Sequence, residues 1–410
     1  MSSRGFNRAD PTRRGVARMV LGMMICLTWL YPISGQSLLE GEFGDIDLGR
    51  QLVEPKRLPT LKELREAVRK PQMASVLMFK LYGDGHNYYL PVWSGDGHRL
   101  ALQRSDLQAR SSKLLVFQTL SQAAPTQIDE ASTAYDSSFR WGMPSATSFV
   151  FARIESSDGE TQVYFSPDGT APLAKTSGNG RHTTPSLYER TDGIWRLVYE
   201  DDGQLIHQAW NADGPVEAPV PLARGASPRW HREGTRLLFT RERSRSGPAI
   251  IYDIVVRNLQ KETDVVLPTD PSHTVRSPTW SPDGDHVAFY VRPPGESKPW
   301  KIQVASAQEG GGRPLGEDVV VNPNFGGEGP AWQPDGRRVW FFSHAKRKQA
   351  YYPLLAADIE TGATTLVDYP TRCTGPNDLA VNPACEVPEM AFVAHDGRPQ
   401  DVFVLFLNHY

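Results

Sequence analysis

The segment from Ser277 to Tyr290, SPTWSPDGDHVAFY, most constrains the fold, because imperfect copies of it recur along the chain. In this segment Pro278 and Trp280 precede an Asp-Gly pair, Asp283-Gly284, and the residues after that pair alternate with a period of two. Such alternation is typical of a strand. Asp-Gly between apolar runs is a strong hairpin signal, since glycine adopts positive φ without steric cost. The segment therefore predicts a strand, a turn and a second strand.

The copies are spaced regularly, which predicts the architecture. The position of Trp280 is taken, from first copy to last, by Trp93, Arg140, Leu187, Trp230, Trp280, Trp332 and Ala380. Neighbouring positions are 43 to 52 residues apart, which is room for four short strands. A period of this length is the signature of a propeller blade. We predict an all-β fold, a single seven-bladed β-propeller; the weaker copies leave six to eight blades open.

The repeat resembles the PD40 (WD40-like, TolB-type) propeller repeat, in which an SPDG turn follows Pro-x-Trp. The resemblance covers residues 86–410, and the Trp-Asp dipeptide of the ordinary WD40 repeat is absent. It implies a propeller that holds partners in the bacterial cell envelope. TolB-type proteins also carry a sizeable α/β domain ahead of the propeller, and residues 36–85 are too few for one. Propeller-bearing prolyl peptidases have a similar repeat, but their hydrolase domain has no counterpart here.

The first 35 residues have the layout of a secretory signal peptide. Five arginines precede an apolar run from Met19 to Ile33, which ends in the small residues Ser34 and Gly35. This run is short for the roughly 20 residues that cross a bilayer, although a membrane anchor is the alternative. We expect residues 1–35 to be removed and the mature protein to be periplasmic or secreted, with no transmembrane span.

Two elements are predicted between the signal peptide and the first full repeat. Residues 36–73 form a leader with one short amphipathic helix, because Thr60 and Glu63 make a capping box. Residues 74–410 form the propeller, and Ala74–Tyr82 reads as a strand that can pair with the last unit. That pairing would close the ring and remove exposed sheet edges.

Charge and cysteine content limit the partners. The chain has 44 basic and 47 acidic residues, so nothing favours nucleic acid, whose binding proteins concentrate positive charge. Of three cysteines, Cys26 lies in the signal peptide, and Cys373 with Cys385 is predicted to form a disulfide, two free thiols being the alternative. Two basic runs are predicted to lie in exposed hairpin loops, where they are either simply solvated or contact an anionic surface: Arg241, Arg243 and Arg245, and Lys346, Arg347 and Lys348.

The sequence contains no recognisable catalytic motif. It has no HExxH, no paired zinc-type cysteines, no GxSxG elbow and no phosphate-binding glycine loop. The Asp-Gly pairs at Asp96, Asp283 and Asp335 are interpreted as hairpin turns and not as calcium ligands. We predict no catalytic residue, no metal and no cofactor, and expect a non-catalytic binding or scaffold module with a protein partner in the envelope.

A candidate ligand site follows from propeller geometry. The innermost strand of each blade begins at the central channel, so the residues ahead of each Pro-x-Trp motif converge on one mouth. Those predicted to bind a ligand are His86, Tyr89, Asp136, His182, Arg276, Glu328 and Asp378. A channel lined by groups that water satisfies is the alternative for this ring. The alternative function is a metal-dependent polysaccharide lyase, a similar propeller family, with His86, His182 and His273 near the channel.

Overall fold

The structure is a computed structural model that describes most of the chain from residue 76 onward. The described residues are 76–82, 86–106, 111–118, 125–131, 135–144, 147–155, 159–172, 174–178, 180–246, 249–293, 300–308, 312–315, 329–343, 352–367, 374–385, 389–395 and 401–407. The predicted signal peptide, leader and short helix, within residues 1–73, lie outside them. Within these ranges the regular elements are all strands.

In the described part of the chain, twenty-nine strands form seven antiparallel sheets, which are the blades of a propeller. The chain begins with β1 (Val76–Tyr82) and continues through blade 1, made of β2 (Asn87–Trp93), β3 (Arg99–Asp106), β4 (Ser111–Gln118) and β5 (Thr126–Ala131). Blade 2 has β6 (Tyr135–Trp141), β7 (Phe149–Ile154), β8 (Thr161–Ser166) and β9 (Ala174–Lys175). Blade 3 has β10 (His182–Glu189), β11 (Trp195–Asp201), β12 (Gln204–Asn211), β13 (Gly214–Pro215) and β14 (Val220–Arg224).

The remaining four blades follow the same order, from the channel outward. Blade 4 has β15 (Ala226–Trp230), β16 (Arg236–Ser246), β17 (Ala249–Asn258) and β18 (Thr263–Val266). Blade 5 has β19 (Thr274–Trp280), β20 (His286–Arg292), β21 (Lys301–Ser306) and β22 (Gly312–Leu315). Blade 6 has β23 (Ala331–Trp332), β24 (Arg338–Phe342), β25 (Leu354–Asp358) and β26 (Thr364–Val367), and blade 7 has β27 (Thr374–Val381), β28 (Glu389–His395) and β29 (Asp401–Leu407).

The ring closes as the sequence predicts. The strand β1 is the fourth strand of blade 7, whose order is β1-β29-β28-β27. It runs antiparallel to β29, with Val76 opposite Leu407 and Met78 opposite Leu405. One blade therefore combines strands from both ends of the propeller, and β29 has a backbone partner on each side.

The hydrophobic core lies between blades. The buried apolar residues form seven clusters, each shared by two neighbouring blades. The cluster between blades 7 and 1 joins Tyr88 and Leu100 to Val393 and Val404, so the seam between the last blade and the first is packed like the others. Seven interfaces among seven sheets establish the blade number that the weak repeats left open.

Tryptophans at the ends of inner strands link neighbouring blades by hydrogen bonds. The indole Nε1 of Trp93 donates to the carbonyl of Ala380, and that of Trp280 donates to the carbonyl of Arg229. Trp141 makes the same bond, to the carbonyl of Val92. In each case the accepting carbonyl belongs to the residue just before the last residue of the inner strand in the preceding blade. The indole therefore lies over the seam between the two blades.

This pattern corrects two positions of the repeat alignment. Trp141, and not Arg140, is equivalent to Trp93, because β6 ends at Trp141 and only its indole makes the inter-blade bond. In blade 7 the equivalent residue is Val381 and not Ala380, which supplies the acceptor carbonyl. Successive side chains of a strand point to opposite faces. An alignment shifted by one residue therefore assigns to the blade seam a side chain that faces the channel.

We expect Trp280→Phe to lower the free energy of unfolding by about 1–2 kcal/mol more than Trp332→Phe. Both changes remove an indole N–H from the end of an inner strand. Trp280 donates to Arg229 at 3.1 Å, whereas the buried Nε1 of Trp332 has no acceptor among the described residues. Urea unfolding of both variants measures the difference. Equal losses would show that the inter-blade bond contributes little.

The Asp-Gly pairs form the turns that join the first two strands of a blade, as predicted. The Asp283 carboxylate accepts the backbone N–H of Asp285 at 3.0 Å, and Asp96 accepts that of His98 at 3.0 Å. Asp335 accepts the N–H of Arg337 at 2.9 Å. The glycines that follow these aspartates have φ between +67° and +79°, where an L side chain is strained.

Candidate functional site

Two of the predicted channel residues lie together where blades 7 and 1 meet. Oδ2 of Asp378 accepts the backbone N–H of Leu90 at 3.1 Å, and its Oδ1 is buried with no hydrogen-bond partner among the described residues. Burial raises the pKa of Asp378 to about 7. Burial and the nearby Asp378 charge raise the pKa of Tyr89 as well. The Asp378 carboxyl is therefore about half protonated at neutral pH.

His182 lies away from that pair, at the start of β10. Its ring is buried, with Nδ1 2.7 Å from Oγ1 of Thr176 and the ring centroid 4.9 Å from that of Tyr199. Its Nε2 is 3.8 Å from Oδ2 of Asp201. Burial lowers the pKa of His182, which keeps the ring neutral at neutral pH. These contacts hold the ring between Thr176 of blade 2 and the second strand of its own blade.

The other predicted channel residues lie in different surroundings. The Arg276 side chain is exposed, and its guanidinium carbon is 5.3 Å from the Trp300 ring centroid. His86 is half-buried just before β2. Asp136 lies on β6, but its side chain is outside the described part, as is Glu328. The structure thus brings Tyr89 and Asp378 together, and the proposed ring as a whole stays a prediction.

Five inner strands carry a non-glycine residue with positive φ at an equivalent bulge. These residues have φ between +46° and +54°: Leu90, Thr184, Ser227, Ser277 and Asp378. In each blade the strand register shifts at or beside this residue. Bulges re-aim side chains and occur often beside functional sites. Here the bulge divides each inner strand into a first part, with the predicted residues, and a last part that ends at the tryptophan position.

The last parts of the inner strands surround a cavity of about 570 Å³. One residue of each blade, the one immediately before the tryptophan position, lines it: Val92, Arg140, Ser186, Arg229, Thr279, Ala331 and Ala380. Strand alternation explains this ring, because the tryptophan position faces the blade seam and its neighbour faces the channel. None of the described residues that the sequence analysis proposed for ligand binding lines this cavity.

The sequence contains a signal for this ring, but the predicted site was taken from other residues of the same strands. The middle residue of the Pro-x-Trp motif is the channel residue, as in Pro228-Arg229-Trp230. The predicted site used the residues ahead of the motif, at the strand starts. The described ones lie ahead of the bulges or, for Asp378, at the bulge itself, and so towards the opposite ends of the inner strands.

The cavity is cationic in the part of its lining that the structure describes. Three arginines line it, Arg140, Arg229 and Arg232, and no aspartate or glutamate is among the described lining residues. Arg140 and Arg229 are half-buried, and Arg232 is exposed and donates to the carbonyl of Pro282 at 3.0 Å. Such a site has an electrostatic preference for anionic groups.

His231 also lines the cavity, but its ring is held in place by packing contacts. It is 1 % exposed, its Nε2 lies 2.8 Å from Nη2 of Arg236, and its ring stands edge-on to Trp280 with centroids 5.0 Å apart. Burial and the Arg236 charge lower the pKa of His231 to about 4. The ring is therefore neutral at neutral pH and acts as a packed part of the blade 4–5 seam.

The first basic run differs from its prediction. Arg241, Arg243 and Arg245 lie on β16 and not in a loop, because the β16–β17 hairpin continues to Ser246. Each guanidinium contacts a carboxylate: Arg241 that of Asp264 at 3.2 Å, Arg243 that of Asp253, and Arg245 that of Glu242 at 2.7 Å. These pairs reduce the charge offered to an anionic surface. Lys346, Arg347 and Lys348 lie outside the described residues.

The predicted disulfide stays a prediction, since Cys373 lies outside the described residues. Cys385 is half-buried, with Sγ 2.7 Å from Oε2 of the buried Glu389. The same oxygen is 3.2 Å from Nδ2 of Asn382, which also donates to the carbonyl of Gly97 at 3.1 Å. This chain of contacts ties the first turn of blade 7 to the first turn of blade 1.

The described residues contain neither a side-chain cluster that could hold a metal ion nor a helix that could span a membrane. Within them, no three His, Cys, Asp or Glu side chains come together in a way that could hold a metal ion. His273, a histidine of the alternative lyase hypothesis, is 3.9 Å from the Asp270 carboxylate, in blade 5 and not beside His182. In the same part of the chain, no helix has the length and apolar character needed to cross a membrane.

Asp378→Asn should stabilise the protein increasingly as the pH rises from about 4 to about 7. In the folded protein the pKa of Asp378 is about 7, above the usual value near 3.9 of the unfolded chain. As the pH rises from about 4 to about 7, Asp378 ionises in the unfolded chain before it ionises in the folded protein. The free energy of unfolding of the wild type therefore falls over this pH range. Asparagine keeps the shape, tolerates positive φ and has no charge to bury. We expect a gain on the order of 2 kcal/mol above pH 7 and almost none below pH 4.

Urea unfolding across this pH range measures the gain, with Asp283→Asn as the control of opposite sign. Burial raises the pKa of Asp283, but hydrogen bonds from Ser281 and the Asp285 amide outweigh that effect and lower it. The control should therefore become relatively less stable as the pH rises. A pH-independent effect of Asp378→Asn would contradict the raised pKa.

Comparisons with known proteins support the fold. No family model matches the chain, and no curated protein matches it. Oligogalacturonate lyase from Vibrio parahaemolyticus superposes with a TM-score of 0.54 at 9 % identity, over 80 % of this chain and 93 % of that one. The propeller domain of the Trilobed protease from Pyrococcus furiosus gives 0.50 at 13 % identity, over 79 % and 94 %. TolB from Acinetobacter baumannii gives 0.41 at 14 % identity, over 86 % of each chain.

These similarities establish a seven-bladed propeller and no specific activity. A lyase and a protease domain share the architecture at identities of 9 % and 13 %. The Pyrococcus propeller is described as having an open Velcro topology, whereas here β1 pairs with β29. A fold common to such different proteins carries no function by itself, so function must be argued from the site.

Proposed function

We propose that the chain is a non-catalytic binding or scaffold propeller of the bacterial cell envelope, periplasmic or secreted. It holds a protein partner or another ligand at a mouth of its channel. One observation carries the proposal: a residue from each of the seven blades converges on a single cavity of about 570 Å³. Because these residues come from all blades, the cavity depends on the whole ring and is a preorganised site.

The chemistry of the cavity supports binding over catalysis. General acid–base or nucleophilic catalysis needs a reactive group held by a supporting partner. The described lining offers three arginines, hydroxyls and one histidine, and that histidine packs into the blade seam. The hydroxyls of Ser186 and Thr279 each bond to the neighbouring blade. That of Ser186 accepts the backbone N–H of Trp230 at 3.1 Å, and that of Thr279 donates to the carbonyl of Pro330 at 3.0 Å.

Site-specific photo-crosslinking tests where the ligand binds. A photo-reactive residue in place of Val92 reports on the cavity, and one in place of His86 reports on the opposite end of the same inner strand. Val266, 42 % exposed on the outermost strand of blade 4, is the control position. We expect one saturable adduct in the envelope fraction from position 92 and none from position 266. Adducts of equal yield at all three positions would contradict a channel-mouth site.

The lyase alternative is tested on the same protein. The purified chain is incubated with oligogalacturonate and Mn²⁺, and the ultraviolet absorbance of unsaturated uronate products is followed. We expect no catalytic release, with an authentic lyase as the positive control. Multiple turnovers that disappear in a His182→Ala, His273→Ala variant would overturn the non-catalytic proposal.

The export part of the proposal is checked by intact mass. Protein recovered from the native envelope should begin near Gln36. A retained Met1 would contradict cleavage of the signal peptide.

A further inference from the structure

The ring of cavity residues has two chemically different arcs. Arg140, Ser186 and Arg229 come from the consecutive blades 2, 3 and 4 and form a polar, cationic arc. Ala331, Ala380 and Val92 come from the consecutive blades 6, 7 and 1 and form an apolar arc. Since the blades follow one another around the channel, these arcs lie on opposite sides of it. A ligand that complements both has an anionic group on one side and an apolar group on the other.

The cationic arc suits a carboxylate. A guanidinium presents several N–H donors in a planar fork that matches the two oxygens of a carboxylate, and such charge-assisted bonds are stronger than neutral ones. Arg229 also takes part in the blade seam through its backbone carbonyl, which accepts the Trp280 indole N–H. The exposed Arg232 of the same blade adds a third positive charge at the rim.

The tryptophans decide between a peptide and a sugar. A sugar-binding site offers an exposed aromatic face on which a pyranose ring can lie. Here Trp93, Trp141, Trp230 and Trp332 are only 4 to 8 % exposed, because their rings pack into the seams between blades. The fifth lining tryptophan, Trp280, is half-buried, but the Arg236 guanidinium lies over its ring at 5.3 Å from the centroid, and His231 packs against it. These contacts leave little aromatic face for a pyranose ring of a uronic-acid chain, whereas a peptide side chain fits between small apolar residues.

Building on the proposed binding function, we infer that the ligand is an acidic peptide segment. A carboxylate of this segment binds Arg140 and Arg229, and a neighbouring apolar side chain packs against the arc of Val92, Ala331 and Ala380. The segment enters from the mouth that carries the Asp-Gly turns. The class of partner is thus a protein with an exposed acidic stretch that also contains apolar residues.

A displayed library of random short peptides tests this inference on the full chain. Peptides selected on the wild-type protein should be enriched in aspartate or glutamate next to an apolar residue. The consensus peptide is then synthesised with a fluorescent label, together with a copy in which amides replace the carboxylates, and binding is measured by fluorescence anisotropy. We expect the amide copy to bind at least about tenfold more weakly, because it loses the charge-assisted bonds.

Matched variants connect this binding to the arginines. Arg140→Gln and Arg229→Gln should each weaken the acidic peptide by about tenfold and reduce the dependence of its affinity on salt. Arg313→Gln is the control, since it removes the same charge from an exposed position on the outermost strand of blade 5. Thermal unfolding of each variant confirms that the ring is intact. Ala380→Glu, which places an acid in the apolar arc, should also weaken binding in a folded protein.

Three results would overturn the inference. Selection without acidic enrichment would do so, and so would consensus peptides that bind the Arg140→Gln, Arg229→Gln double variant as tightly as wild type. Displacement of the peptide by oligogalacturonate at equal carboxylate concentration would identify a sugar site instead. If adducts at position 92 persist in any of these cases, the acidic-peptide inference fails while the binding function stands.

Discussion

Gly284→Ala is expected to be among the most destabilising single substitutions in the propeller, lowering the free energy of unfolding by about 3 kcal/mol or more. Gly284 has a φ of +79°, a conformation that costs an L residue roughly 1–2 kcal/mol. Its added Cβ would also lie 1.8 Å from Nε2 of His231 in the neighbouring blade. His231 cannot move aside, because it is 1 % exposed and contacts Arg236 and Trp280.

Gly203→Ala separates the two causes. Gly203 has the same φ of +79°, but a Cβ there would meet nothing within 4 Å. Urea unfolding of the two variants should give a backbone cost of about 1–2 kcal/mol for both, and a further loss for Gly284→Ala alone. Adding His231→Ala to Gly284→Ala should recover part of that further loss. Equal stabilities of the two alanine variants would show that the blades do not interlock at this turn.

Removal of β1 is expected to have the largest effect of any change considered. Deleting Val76–Tyr82 leaves β29 without its partner, so a row of backbone donors and acceptors on blade 7 becomes an open sheet edge. We expect the loss to be on the order of 5 kcal/mol, comparable to the whole stability of many domains, and to convert soluble protein into aggregate. Size-exclusion chromatography and thermal unfolding measure both effects.

Two controls connect the loss to strand pairing. A chain that begins at Ala74 keeps β1 and should remain soluble, which would show that the deleted strand itself matters. A synthetic peptide of residues 74–82, added during refolding of the deleted chain, should restore solubility by strand addition. A deleted chain with unchanged solubility and melting temperature would contradict closure at β1.

Local chemistry explains why much of the fold could be predicted from the sequence. The Asp-Gly turns depend on glycine's access to positive φ and on a carboxylate that accepts nearby amides, as Asp283 does with Asp285. Alternation of apolar residues defines the strands that follow each turn. A period of 43 to 52 residues holds only one four-stranded blade, so its repetition predicted the ring and a strand before the first repeat to complete it.

The candidate site could be predicted only in part, because it depends on which face of each inner strand meets the channel. The sequence analysis placed Tyr89 and Asp378 in one ring ahead of the Pro-x-Trp motifs, and the structure brings these two together where blades 7 and 1 meet, while the ring as a whole stays a prediction. Arg140 and Arg229 were not expected to line a cavity together. They are far apart in the sequence, and a one-residue difference in register decides whether a side chain faces the channel or the seam.

The sequence by itself determined the repeating unit, the propeller class and the strand that closes the ring, because turns and strand alternation are set by residues that are neighbours along the chain. Only the tertiary structure decided which residue of each unit enters the channel and where the blades interlock. Trp141 rather than Arg140 bonds to blade 1, and Gly284 meets His231 across a seam. Contacts of this kind depend on the packing of one sheet against the next, which no local pattern records.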